Sequence, residues 1–407
     1  MPPADSRPAW PEAITPHIGM AVQGDQRFPR PALEAEFDSA LTRGNGGTLF
    51  GLRRIGKSSE ALACAQRLRQ LGYKVITEDV QGKTSEAELL CAILGQMRTY
   101  NFGDRVLKWI SNDSAIAAGA REAIQRLSAT TGDIQAYFGA IAATIKRALE
   151  EKDEKVVLII DELPWLCRSI LQGDASAGRS RVDVLLAALR SWRGAGMRML
   201  LMGSIGLVGL GREHQLDLSH LNDLTPLSVP PLDREEAQAL VRALAVGGQI
   251  TGWTAAHTNV LLEESAAFYP AIVQRGFEKV TIGGKAARLD RIPDIFADHV
   301  RPDLDAAFFQ QFDNRVRRYR TLGTPLAEVL PLLLDTVLAS TTPVAREALK
   351  TCAGAEVEDA DLGDALHILR EDGFLALRIA RDGAQHWRVA SSLVTLWRQQ
   401  RRGGAPR

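Results

Sequence analysis

At 407 residues, 45% of them hydrophobic and 24% charged, the chain has the composition of a folded soluble protein and is too long for one compact core, so two or three domains are expected. Lys+Arg and Asp+Glu balance at 49 each, which excludes a global field steering the protein onto nucleic acid; any such contact must come from a local patch. Cys64, Cys91, Cys167 and Cys352 contain no C-x-x-C pair, which argues against a disulfide framework or zinc site, and the absence of a membrane-length apolar run or signal-like start predicts a cytoplasmic protein without membrane contact.

Residues 1–26 are rich in proline and small residues and are predicted to form a loosely ordered arm. Phe28-Pro29-Arg30-Pro31-Ala32-Leu33-Glu34 leads into a helix over about 31–43, closed by Gly44. Thr48-Leu49-Phe50 reads as a short apolar strand, and Ser58 to Leu71 as a helix ended by Gly72. Between them stands Gly51-Leu52-Arg53-Arg54-Ile55-Gly56-Lys57-Ser58, the pattern G-x-x-x-x-G-K-[ST]. Its backbone N–H groups can wrap nucleotide phosphates, with Lys57 reaching the β/γ oxygens and the Ser58 hydroxyl ligating Mg²⁺. Ser59, next in the first helical turn, is counted with the loop residues Gly51 to Ser58 as binding the nucleotide.

Tyr73 to Val80 is predicted as a second strand, and 85–150 as helical with breaks near Asn101–Asp104, Asn112–Ser114 and Thr131–Asp133. Val156-Val157-Leu158-Ile159-Ile160 is an unbroken run suited to a strand buried on both faces of a parallel sheet, and it ends in Asp161-Glu162. A helix around 180–192, a strand from Met197 to Met202 ending at Gly203-Ser204, and a short strand at Leu224 to Leu227 follow. This alternation predicts a parallel α/β core over 27–232.

After Pro230-Pro231 the pattern turns helical. Asp233 with Glu236 makes a capping-box start for a helix over 234–245, with further helices near 254–266 and 270–280 and a mixed, charged connector over 286–320. These make a helical lid and connector over 233–320. Helices at 325–339, 343–352 and 361–372, then strands Phe374 to Ile379 and His386 to Val389 around an Asp382-Gly383 turn, give the winged-helix pattern over 321–407.

Several side chains carry chemistry. Asp161 sits at the carboxyl end of a buried strand, where a carboxylate can hold Mg²⁺ opposite Ser58, and Glu162 is suited to polarise a water attacking a γ-phosphate. Ser204 either senses the γ-phosphate or simply forms a turn after Gly203. Arg53 and Arg54 are either solvated or assist phosphate binding or a domain contact. Arg190, Arg193, Arg198 and Arg212 are the candidates for a trans-acting arginine finger, with a solvated surface as the plainer reading of each. Arg315-Val316-Arg317-Arg318-Tyr319-Arg320 either meets nucleic-acid phosphates or pairs with acidic neighbours, and Arg398, Arg401, Arg402 and Arg407 form a second basic patch or a solvated tail. The presumed recognition helix is acidic through Asp361, Asp364, Glu371 and Asp372, which makes it a poor reader of bases.

The octapeptide resembles the G-x-R-R-x-G-K-[ST] phosphate loop of the archaeal-type ATPases, in the STAND branch of AAA+-related P-loop NTPases. Phe28 to Glu34 is similar to that family's F-x-G-R-E-x-E box near the adenine, with Pro29 and Pro31 in place of Gly and Glu. Leu158 to Glu162 resembles the acidic motif, Leu201 to Ile205 the Gly-Ser sensor strand, and Leu224 to Ser228 the strand leading into the lid. Pro270 stands where the family carries a G-x-P motif, with Phe268 replacing the Gly, and the stretch from His386 to Arg398 resembles the close of its winged helix. The resemblance covers roughly 27–400. It implies strand order 5-1-4-3-2, ATP with Mg²⁺ held between core and lid, Arg30 and Pro270 near the base, and a nucleotide-controlled switch. The output would be an interaction with DNA or a separate effector protein, in genome maintenance, mobile-element handling or anti-phage defence, with a homo-oligomer among the options and 85–150 either docking the effector or packing on the sheet. Two rival readings are a DNA-binding regulator that binds nucleotide with little hydrolysis and a metabolic kinase using the same loop.

Overall fold

The computed structural model describes residues 10–16, 24–113, 116, 118–126, 135–151, 154–265 and 267–403. Packing divides the chain into two compact units that do not follow its linear order. One gathers Met1–Glu34, Gly51–Glu60 and Val229–Arg407; the other holds Ala35–Phe50 and Ala61–Ser228.

The second unit is built on a parallel sheet of β1 (Gly46–Phe50), β2 (Lys74–Asp79), β3 (Val156–Asp161), β4 (Arg198–Gly203) and β5 (Thr225–Pro226). Its order, β2-β3-β4-β1-β5, is 5-1-4-3-2 read from the other edge, and every pairing is parallel. Val156 to Ile160 are all buried because helices cover both faces, which is why the run is apolar without alternation. Phe50 lies level with Gly203, and Ile160 with Leu201, so β1, β3 and β4 end along one edge of the sheet.

Helices Glu86–Met97, Asn101–Asn112, Ala118–Gln125 and Phe138–Glu150 occupy the helical stretch. Its first interruption lies at Arg98–Tyr100, and Asn101–Asp104 opens the next helix. Of the other two expected breaks, Ser114 and Thr131–Asp133 lie outside the described residues. The stretch packs into the core cluster with β3 and β4, and Trp192, 1% exposed, donates its indole N–H to Ala142 O at 2.9 Å. A helix unforeseen in the sequence, Leu163–Gly173, starts directly after Glu162. Cys64, Cys91 and Cys167 are buried, and burial pushes the Cys91 and Cys167 thiols up to about 11 and about 12.

In the first unit, Asp233 accepts from Glu236 N and Glu236 from Asp233 N, closing the expected capping box on helix Arg234–Gly247. Helices Ala255–Glu264 and Pro270–Val280 follow, then the two-residue strands β6 (Thr281–Ile282) and β7 (Lys285–Ala286). Helix Leu326–Ala339, strand β8 (Val344–Ala345), helices Arg346–Ala353 and Asp359–Glu371, and strands β9 (Leu375–Ile379) and β10 (Gln385–Val389) follow in turn, the strands forming an antiparallel sheet in the order β8-β10-β9, and then comes helix Ser392–Gly403.

Two expectations are corrected here. The described part of the N-terminal arm is tied down: Ile14 is 2% exposed with its N–H on Ala243 O, Thr15 N donates to Gln26 Oε1, and Trp10 stacks on Phe28 at 6.0 Å. The connector over 286–320 is helical from Leu289 to Tyr319, with wider π-helical turns at Phe296–Val300 and Asp305–Phe309. Phe296, Val300, Leu304, Phe308 and Phe312 recur every fourth residue and are all buried. On a plain α-helix such a stripe would drift about 40° per step around the axis; the wider turns offset the drift and keep it on one face.

Candidate functional site

The phosphate-loop motif leaves β1 at Gly51 and closes at Gly56, whose φ of 106° is a left-handed value that side chains resist. Leu52 and Ile55, 1% and 6% exposed, anchor the loop, while Arg53 and Arg54 face solvent and Arg54 itself has a φ of 68°. Lys57 opens helix Lys57–Gln70 and is buried; its Nζ donates to Gly51 O at 3.0 Å and Leu52 O at 2.7 Å. Ser58 and Ser59 stand half-buried in the first turn, where the positive end of the helix favours an anion.

Around this loop, within the same unit, Arg27 bridges Glu34 at 2.7 Å and Glu60 at 2.6 Å. Burial raises the Glu60 carboxyl above the usual glutamate range, and Arg27 opposes that rise. Arg30, 6% exposed, donates to Pro230 O at 2.8 Å and Pro231 O at 3.2 Å, so its guanidinium holds the segment that precedes helix Arg234–Gly247. Pro270 is the first residue of helix Pro270–Val280 and follows the buried Tyr269, whose hydroxyl burial pushes upward. The N–H of Arg53 donates to Gln311 Oε1 at 3.0 Å, a partner without a sequence signal.

In the other unit, Asp161 ends β3 and accepts from Glu162 N at 2.9 Å. Glu162 has φ 62° and ψ 29°, a strained backbone for a residue with a side chain, and its carbonyl accepts from Trp165 N and Leu166 N at the start of helix Leu163–Gly173. Its Oε2 accepts two bonds from Ser204: the backbone N–H at 3.0 Å and the hydroxyl at 2.8 Å. Ser204, 3% exposed, in turn accepts from the Trp165 indole N–H at 3.1 Å, and the Arg168 guanidinium lies 5.4 Å from the Trp165 ring. Gly203 makes this approach possible, because a Cβ there would come 2.6 Å from the Pro164 ring. Trp165 was invisible to motif reading: it sits three residues past Glu162 in a stretch with no pattern of its own.

The basic residues are mostly engaged inside their own unit. Arg193, read as surface, is buried and forms a forked bond to Asp223 at 2.8 and 3.0 Å; Arg198 donates to Gly44 O at 2.8 Å and Arg190 to Ser219 O at 2.8 Å. Arg212 is exposed. In the stretch 315–320, Arg315 and Tyr319 are buried against Asp372, itself 1% exposed, with the Tyr319 hydroxyl on Asp372 Oδ2 at 2.8 Å and Arg318 at 3.4 Å. Burial pushes the Tyr319 hydroxyl well up, and the neighbouring Asp372 pushes the same way. Only Arg317 and Arg320 of this stretch face solvent. Asp372 is therefore a core acceptor, not part of an acidic recognition face. Arg398 pairs with Asp335 at 2.6 Å and Arg401 with Asp313 at 2.6 Å and Asp305 at 2.8 Å, while the Arg402 side chain and Arg407 lie outside the described residues.

No family model matches the chain, and no curated protein does. Among solved structures, a Walker-type ATPase of Pyrococcus abyssi is similar over 92% of this chain and 97% of its own, with a TM-score of 0.52 and 15% identity. The ORC2 protein of Aeropyrum pernix in its ADP form aligns over 96% and 97% at a TM-score of 0.46 and 13% identity, and AMPPCP-bound DnaA of Aquifex aeolicus over 83% and 84% at 0.35 and 10%. The first of these likenesses, with the sheet order described above, gives the class: an AAA+-like P-loop ATPase fold. Among the described residues no helix is long and apolar enough to cross a membrane.

Proposed function

We propose that the chain binds and hydrolyses ATP with Mg²⁺ and couples its nucleotide state to an interaction with DNA or an effector protein, as a switch of the archaeal-type, STAND-branch kind whose last elements form a winged helix. The observation that carries this reading is the common edge at which β1, β3 and β4 end. Asp161-Glu162 and Ser204 follow β3 and β4 at that edge, where open α/β sheets bind ligands, and the phosphate-loop motif is the segment that continues the chain from β1. A loop closed by Gly56, with a buried lysine already bonded to its carbonyls, suits phosphate oxygens.

The donor set fits Mg²⁺. Ser58 and Asp161, the residues proposed to hold it, offer the hard oxygens this ion takes, and an ion there would complete its coordination with nucleotide phosphates and water. When bound, the ion would neutralise charge developing on the phosphates. The chain's own part is to grip phosphate oxygens with loop amides and Lys57, and to take a proton on Glu162. As the water oxygen bonds the γ-phosphorus, the bridging P–O bond breaks and ADP leaves. Ser204, through its contact with Glu162, belongs to the same apparatus. Arg53 and Arg54, exposed on the loop, would assist phosphate binding or a domain contact, and Arg30 and Pro270 would hold the segments near the base.

Equilibrium titration with a fluorescent ATP analogue tests this. Lys57→Ala is expected to lose binding, and Glu162→Gln to keep it while turnover falls about 10²–10⁴-fold. Wild-type affinity in Lys57→Ala, or wild-type turnover in Glu162→Gln, overturns the assignment.

A further inference from the structure

We infer that Trp165 is a positioning residue for Glu162, acting through Ser204; its catalytic half rests on the hydrolytic reading above. The chemistry of the three groups fixes the direction of the chain. An indole N–H can only donate, so its bond to Ser204 Oγ uses a lone pair of the hydroxyl and leaves the single hydroxyl proton for Glu162 Oε2, 2.8 Å away. Oε2 also accepts the Ser204 amide at 3.0 Å, so this oxygen acts as an acceptor twice over. Ser204 is 3% exposed, so solvent is a poor substitute for the indole in setting its hydroxyl rotor. The left-handed backbone of Glu162 adds a second constraint, since a residue with a side chain keeps that conformation only where its surroundings over-determine it. Without the indole N–H the Ser204 hydroxyl loses one of the bonds that set its rotor, and the direction of the Glu162 carboxylate is held less firmly.

The test uses the full chain labelled with ¹⁵N-tryptophan. Trp165→Phe, which keeps an aromatic ring, identifies the Trp165 indole resonance among the seven tryptophans. That resonance is expected to move in Ser204→Ala; if it stays, the hydrogen-bond chain is refuted whatever the turnover. In kinetics, Trp165→Phe is expected to lower kcat about tenfold with KM for ATP unchanged, and to add nothing in a Glu162→Gln background. A purely structural role would instead lower thermal stability and add its loss to that of Glu162→Gln, and wild-type kcat in Trp165→Phe would overturn the proposal. A wild-type chain without ATP turnover fails the hydrolytic reading and the catalytic half with it, while a moving indole resonance still upholds the chain itself.

Discussion

Arg193 shows how an arginine on a helix of a charged protein can belong entirely to the fold. Its guanidinium grips Asp223 with two bonds from within the core. The Arg193 hydrogen bond is the main cause holding the Asp223 carboxyl below the usual aspartate range. An acid lowered in the folded state adds stability above its unfolded pKa, near 4, and loses it as the pH falls through the folded value. The melting temperature of the wild-type chain is therefore expected to drop below about pH 4 more steeply than that of Asp223→Asn. At neutral pH the variant should be less stable by up to about 3 kcal/mol, because a buried guanidinium keeps only a neutral partner. Equal acid slopes in the two proteins would show that Asp223 does not govern this limb. The sequence could not separate Arg193 from its exposed neighbours, since a single arginine carries no mark of the acid thirty residues on that will receive it.

At the scale of elements, the readable parts were those with a strong local cause. The phosphate loop was legible because G-x-x-x-x-G-K-[ST] imposes its own backbone, and the capping box because Asp233 and Glu236 satisfy each other within one turn. β3 was legible as an unbroken apolar run. The helical span between Leu289 and Tyr319 was not, because a stripe of period four fits neither an α-helix nor a strand until wider turns are allowed. Nor was the fate of the basic stretch at its end, where Arg315 and Arg318 turn to an aspartate more than fifty residues away. The charge left to solvent there is Arg317 and Arg320, which sharpens the nucleic-acid test. If this stretch touches phosphates, Arg317→Ala with Arg320→Ala should lower the slope of log affinity against log salt by about two in gel-shift titrations. An unchanged slope removes the stretch as a contact.

At the scale of the molecule, the parallel sheet followed from strand–helix alternation and its strand order from the family resemblance, whereas the grouping of segments did not. Grouping depends on which distant surfaces bury each other, and no local pattern records that. The unit holding Gly51–Glu60 is completed only by segments from Val229 onward, while the sheet unit ends at Ser228. Because of this interleaving, a growing polypeptide can close its parallel sheet while the phosphate loop still lacks most of its packing partners. At synthesis rates of about 5–20 residues per second, that gap lasts on the order of ten to forty seconds. Ribosome-stalled chains that have exposed residues up to about 230 should therefore resist protease across the sheet and yet fail to retain a nucleotide analogue, with retention arriving only when the segments from Val229 onward are exposed as well. Retention in the shorter chains would show that the loop needs none of its later partners. If the shorter chains do fail to retain it, the order of manufacture would act as a safeguard, keeping a chain made only to that point from being charged with nucleotide.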